Sequence, residues 1–186
     1  MSESQTPANG IHHIAFCTRD IDATYDYYNN KLGMPLVHCE NHLHGDDGWF
    51  RHFFFDMGAG QCLGFFAVHN AGEKPGYQTN LHKSAGLPVW VNHTSFRVDS
   101  IADLEKLRRR FLDAGVKLDA VIKHGWCTSL YLHDPNGLTI EFTADTDNFA
   151  EQFDQTHDEA YALLTQSPDE FESVKDSYLD PSEPIA

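Results

Sequence analysis

The polar and apolar positions of this chain change period twice, in the same order each time. Residues 11–19 alternate as a strand does, with His13, Ala15 and Cys17 on one face. Asp20 stands where a helix cap belongs, and Ile21, Tyr25, Tyr28 and Leu32 recur at helical spacing up to Gly33, a natural stop. MPLVHC opens a second strand, WFRHFFFDM reads as a third, and MGAG turns the chain into QCLGFFAVH. The order is β-α-β-β-β.

The order then repeats. WVNHTSFRV predicts a strand containing His93, and Ser100 predicts a cap. Ile101, Leu104, Leu107, Arg108 and Phe111 trace a helical face whose apolar members meet the core, and Gly115 ends it. VKLDAVI, TSLYLHD and LTIEFT follow as strands, with DPNG as the tight turn between the last two. Residues 71–89, rich in Gly, Pro and Asn, read as a linker between module one (10–70) and module two (90–143). His38, His42 and His44 cluster in a loop-like stretch, and its part ENHLHGDDG, with His42 and His44, reads as a solvated loop that could cover a cavity as a lid. The predicted class is α+β, built from two paired βαβββ modules.

Laying one module over the other brings out the candidate chemistry. IHHIAF over VNHTSF sets His13 on His93, and GQCLGFF over GLTIEFT sets Gly64 on Glu141. The repeat thus predicts up to four equivalent ligand positions. His13, His93 and Glu141 fill three of them, and Gly64 leaves the fourth direction open to water or substrate. A single strand His is usually structural. Three coincident ligand types favour a metal.

Composition narrows the class. The 186 residues, 41% hydrophobic and 12% aromatic, suffice for one compact domain or two small modules sharing a core. The first ten residues lack the regions of a signal peptide, and no apolar run is long enough for a bilayer, so a soluble cytoplasmic protein is expected. Cys17, Cys39, Cys62 and Cys127 form no C-x-x-C pair and read as buried, reduced thiols. A net charge of −15 argues against nucleic acid and anionic membrane as partners. Twelve acidic residues against one Lys in 144–186 carry −11 of it. In this acidic extension Phe149, Phe153, Ala160 and Leu164 predict an amphipathic helix over about 147–165, and DSYLDPSEPIA reads as extended.

The paired modules, a His in the first strand of each and DPNGLTIEF closing the second, resemble the vicinal oxygen chelate superfamily over residues 10–143. That superfamily includes glyoxalases, fosfomycin- and bleomycin-resistance proteins, epimerases and type I extradiol dioxygenases. The resemblance implies curved sheets wrapping a cavity with a divalent metal. Glyoxalase-like members usually use four protein ligands, whereas extradiol dioxygenases use two His and one Glu. His13, His93 and Glu141 with Gly64 vacant is similar to the second set. Such a face leaves three adjacent positions on six-coordinate Fe(II), room for a catecholate and O₂.

Tyr131, ten residues before Glu141, matches a Tyr that hydrogen-bonds substrate in ring-cleaving members, and His124 is a second candidate substrate contact. Those members also carry a catalytic acid–base His just ahead of module one's last strand, where this chain has Gln61 and Cys62. His52, or His42 or His44, would have to replace it. Aligning the turns by Asp56 and Asp134 sets Phe53 over Tyr131, whereas aligning by Gly60 and Gly137 sets His52 over Ser129. Only the second register turns His52 to the metal side, because one residue flips the face. The resemblance implies an Fe(II)-dependent extradiol dioxygenase acting on an aromatic diol with O₂, in a family that often forms homodimers. The alternatives are a glyoxalase- or epimerase-like enzyme using Zn, Ni or Mn, and a metal-free protein that binds a drug or metabolite.

Overall fold

A computed structural model describes residues 10–152, 154–172 and 175–185. The first sheet contains β1 (His13–Thr18), β2 (Leu36–His44), β3 (Gly48–Gly58) and β4 (Gln61–His69) in the order β1-β4-β3-β2. β1 is parallel to β4, and the other pairs are antiparallel. Helix α1 (Ile21–Tyr25) crosses between β1 and β2 and continues in π form over Asp26–Leu32. A short α2 (Leu81–Ala85) then leads to β5 (His93–Val98), α3 (Ile101–Asp113), β6 (Ala120–Lys123), β7 (Cys127–His133) and β8 (Thr139–Asp145). The second sheet is ordered β5-β8-β7-β6, with β9 (Ser177–Leu179) added at its edge. The predicted pair of βαβββ modules is therefore the architecture.

Local chemistry accounts for the helix ends. The Asp20 carboxylate accepts from the Ala23 N–H at 2.9 Å, and the Ser100 hydroxyl accepts from the Asp103 N–H at 3.1 Å. Gly33 ends the first helix at φ +78°, and a Cβ there would lie 1.8 Å from the Arg110 guanidinium. Both the left-handed turn and the close approach of α3 require glycine.

Strand alternation divides each sheet into a core face and an open face. Phe53, Phe55, Leu63 and Phe65 turn inward with Tyr28 and Leu32 from the first helix. Leu130, Leu132, Ile140 and Phe142 do the same with Leu104 and Phe111 of α3. These residues form one contiguous cluster across the two modules. A buried polar joint adds to it: the Tyr28 hydroxyl donates to Asp134 Oδ2 at 3.0 Å, and Asn136 Nδ2 donates to Thr24 Oγ1 at 3.1 Å. The DPNG turn of module two is thus pinned by the helix of module one.

The linker over residues 71–89 carries a short helix of its own, α2, capped by Asn80 accepting from the Lys83 N–H. Three expectations need correction. His38, His42 and His44 lie in strand β2, because a hairpin pairs Leu36–His44 with β3; the loop is only the turn beyond them. The tail helix is not continuous. It breaks into α4 (Phe149–Gln152) and α5 (His157–Leu164), because Thr156 and Glu159 form a new capping box; Phe153 lies outside the described residues. Finally, only Cys127 is a buried thiol, whereas Cys39 is exposed on an edge strand.

The cysteine difference gives a direct test. Burial pushes the Cys127 thiol up to about 11, so little thiolate exists near neutrality. Cys39 should react with an aromatic disulfide reagent within minutes at pH 8, and Cys127 only on unfolding. Mass mapping that finds Cys127 labelled at the Cys39 rate would contradict this packing.

The end of the tail is docked. Arg108, a buried residue of α3, binds Glu105 through Nε and Nη2 and donates from Nη1 to the Pro181 carbonyl at 3.0 Å. The Ile185 N–H donates to Glu105, and the Ile185 side chain is buried. Arg108, aided by Arg109, holds the Glu105 carboxyl down at about 2 against the opposing effect of burial. The extended reading of this segment gains a partner, since β9 pairs with β6 from Ser177 to Leu179.

Candidate functional site

The open face of the second sheet carries a connected set of polar groups. The parallel pairing of β5 with β8 puts Ser95 opposite Glu141, and β7 puts Tyr131 opposite Glu141 from the other side. Glu141 is 5% exposed. The Tyr131 hydroxyl donates to its Oε1 at 2.8 Å, as does the Thr143 hydroxyl at 2.8 Å. Ser95 and Ser129 lie within 2.8 and 3.0 Å of the Thr143 oxygen. Burial pushes the Glu141 carboxyl up, but hydrogen bonds from Ser129, Thr143 and Tyr131 and the charge of His93 outweigh it and hold the group below its usual range. Burial and the neighbouring carboxylate push Tyr131 far above the ordinary phenol range.

His93 faces the other carboxylate oxygen, with Nε2 3.2 Å from Oε2. Its Nδ1 lies 3.2 Å from the Trp90 carbonyl, which can only accept, so Nδ1 carries the hydrogen. In the neutral ring Nε2 is then a lone pair aimed at a carboxylate. Two acceptors at that distance need a proton or a cation between them. The arrangement matches that of a metal-binding imidazole, whose second nitrogen donates to a backbone carbonyl.

A cavity of about 590 Å³ opens above this pair, lined by Trp90, His93, His124, Tyr131, Asp176 and Tyr178 among others. Its size falls in the range of small-molecule sites. His124 places Nε2 3.0 Å from the Tyr131 hydroxyl and donates from Nδ1 to Asp176 at 2.9 Å. Asp176 and Tyr178 belong to the acidic extension. Sequence reasoning missed them, since no local pattern links residue 176 to residue 124.

The first sheet holds the remaining candidates. β1 pairs Ala15 with Gly64, as β5 pairs Ser95 with Glu141, so Gly64 occupies the position equivalent to Glu141. The register of β3 on β4 is the one that puts His52 on the face of His13: His52 pairs with Phe66 as Ser129 pairs with Thr143. His13 has Nδ1 2.8 Å from His12 Nδ1, and its ring packs against His52 and Phe54 at 6.1 and 5.6 Å between centroids. The space over Gly64 is not open. A Cβ there would come within 3.1 Å of His52 Nε2 and 3.2 Å of the Phe54 ring.

His52 stacks on Phe66 at 3.8 Å between centroids, and its buried Nε2 has no hydrogen-bond partner among the described residues. Burial, then the charge of His13, pulls its pKa down, so the ring is neutral near pH 7. His42 and His44, the other candidates for this role, lie farther along β2, where His42 binds Glu40 at 3.1 Å.

The structure therefore brings His93, Glu141, Tyr131 and His124 into one cluster and His13 and His52 into another. Among the described residues no group of three or more His, Cys, Asp or Glu side chains stands close enough to hold a metal. No helix among them is long and apolar enough to cross a membrane.

The chain is similar to several known proteins. Two curated relatives come from Rhodococcus globerulus. Biphenyl-2,3-diol 1,2-dioxygenase 3 is 35% identical over 83 residues, 43% of either chain. Biphenyl-2,3-diol 1,2-dioxygenase 2 is 26% identical over 153 residues, 82% of this chain and 67% of the relative. The chain thus matches less than half the length of the first. Among solved structures, the fosfomycin resistance protein FosX from Listeria monocytogenes, complexed with Mn(II) and sulfate, matches with a TM-score of 0.51 at 17% identity over 77% of this chain and 98% of its own, a likeness of fold alone. A family model matches residues 10–142, which span both modules. The chain belongs to the glyoxalase/bleomycin resistance protein/dioxygenase superfamily.

Proposed function

We propose that this protein is a metal-dependent ring-cleaving enzyme, an extradiol dioxygenase acting on a catechol-like aromatic with O₂. The observation that carries the reading is His93 Nε2 set 3.2 Å from the buried Glu141 carboxylate beside the cavity. Two neutral imidazoles and one carboxylate suit Fe(II) and also accommodate Mn, Zn or Ni. A two-His, one-carboxylate set used with O₂ favours Fe(II), in keeping with partial relatives named as dioxygenases. Bound by His93, Glu141 and His13, the metal would supply charge neutralisation and a template for the two diol oxygens.

The protein's own groups do the rest. The Trp90 carbonyl holds the His93 ring through Nδ1, which keeps Nε2 turned toward Glu141. Tyr131 and His124 orient the diol from the cavity wall. His52 of the copy that supplies His13, neutral and with Nε2 unpartnered among the described residues, receives the proton released when a catechol hydroxyl ionises.

His13 reaches this site from a second copy. Each chain carries both halves on separate open faces, and a two-fold pairing would close two identical sites at once. Exposed apolar side chains flank both halves: Ile11 beside His13, and Trp90, 71% exposed, beside His93. Strand β2 is exposed along its whole length and carries Leu43 at 91%. Such surfaces mark interfaces.

Elemental analysis of protein purified anaerobically without chelator should find about one metal per chain, absent in His93→Ala. With Fe(II) under air the protein should give a yellow ring-fission product from a catechol panel. Metal-free wild-type protein, or no product across the panel, would sink the reading.

A further inference from the structure

The acidic extension is outside the family match, which ends at residue 142, yet it returns to the cavity. Strand β9 pairs with β6, and Arg108, Glu105 and the buried Ile185 hold the chain on either side of the final turn. This docking sets two side chains, Asp176 and Tyr178, in the cavity wall. We infer that the extension completes the active site, with Asp176 as a positioning residue that fixes the ring of His124 against Tyr131.

The geometry carries this as an ordered chain of contacts. Asp176 Oδ1 lies 2.9 Å from His124 Nδ1, and a carboxylate can only accept from it. Nδ1 therefore bears a hydrogen, and because the one Tyr131 proton goes to Glu141, Nε2 meets the Tyr131 oxygen at 3.0 Å as a second donor. That hydroxyl in turn donates to Glu141 at 2.8 Å. Four residues thus connect the extension to the carboxylate: Asp176, His124, Tyr131 and Glu141. Without Asp176 the ring of His124 can flip or change tautomer, and the Tyr131 oxygen loses one of its two fixed neighbours. Carboxylates that orient metal-bound imidazoles are the nearest measure of such a contact, and their loss typically costs about 10–100-fold in metal affinity or activity. The charge of the extension has a use here beyond solubility.

The role assigned to Asp176 within catalysis rests on the proposed function, but the contact does not, so two readouts are needed. The first uses the metal-free full-length chain. ¹⁵N-correlated NMR of the histidine rings should show a slowly exchanging Nδ1–H that vanishes in His124→Gln and is equally lost in Asp176→Ala. Asp176→Asn, which keeps an accepting oxygen, should retain a weakened signal. The second uses Fe(II)-loaded protein and the catechol panel. Asp176→Ala should lose roughly 10–100-fold in kcat with metal content unchanged, and Asp176→Asn should recover part of it. The effect of Asp176→Ala should also nearly disappear in the His124→Gln background, because the two residues act as one unit.

An unchanged His124 signal in Asp176→Ala overturns the inference, whether or not catechols are turned over. So does full activity of that variant, or an equal loss in the His124→Gln background. If the NMR coupling holds while wild-type protein turns over no catechol, the contact stands and the dioxygenase reading fails.

Discussion

Co-expressed His13→Ala and Glu141→Ala chains should regain a metal that neither variant binds alone. Each pure variant loses a ligand from both sites of its dimer. In the mixed dimer one site combines both lesions, while the other joins an intact first module to an intact second one. Differentially tagged, purified heterodimer should therefore carry one metal per two chains, with turnover per intact site equal to wild type. Each pure variant should fall by more than the ~100-fold that loss of an outer partner costs. The open, separate positions of His13 and of His93 with Glu141 motivate this design. An inactive, metal-free heterodimer of correct mass would show that the ligands do not meet across two copies. A wild-type protein that is monomeric while holding a full complement of metal would show the same.

The largest effect on stability should come from Asp134→Ala. This buried carboxylate accepts from the Asn136 and Leu138 N–H groups at 2.9 and 2.8 Å, from Asn136 Nδ2 at 2.9 Å, and from the Tyr28 hydroxyl at 3.0 Å. Alanine removes the acceptor but leaves the donors buried, including the fully buried Tyr28 hydroxyl. Each buried neutral donor left without an acceptor costs about 1–3 kcal/mol, and local relaxation recovers part of the sum, so about 3–5 kcal/mol is expected. For a chain of this length that lowers Tm by roughly 6–20 °C. Tyr28→Phe deletes one donor and should cost about 1–3 kcal/mol. Asp134→Asn keeps an accepting oxygen but meets Asn136 Nδ2 with a second amide, so it should fall between the two. Urea titrations of the three variants measure the order directly. An Asp134→Ala cost below about 1 kcal/mol would mean that the turn, and with it the joint between modules, is held by something else.

Both predictions draw on features that were unequally legible along the chain. The helix starts at Asp20 and Ser100, the stop at Gly33 and the DPNG turn are local devices, encoded in neighbouring residues and recoverable from them. The superposition of His13 on His93 and of Gly64 on Glu141 was equally recoverable, because the strand period of two preserves facing once the repeat is aligned. The His-rich stretch before Trp49 misled for a local reason. Its polar side chains look like those of a loop, and only the pairing with β3 makes it a strand.

The sequence alone therefore determined the two modules, their elements and the types of residue offered as ligands, since each depends on interactions within a few residues or on an exact repeat. Tertiary structure decided the rest. It chose the register that turns His52 toward His13, filled the space over Gly64 with that ring, and among the described residues left His13 in no metal-holding group with His93 and Glu141. It also brought Asp176 back to His124 across 52 positions. Contacts at such separation depend on how sheet edges pair and which faces remain open, and that competition is resolved only when the whole chain packs.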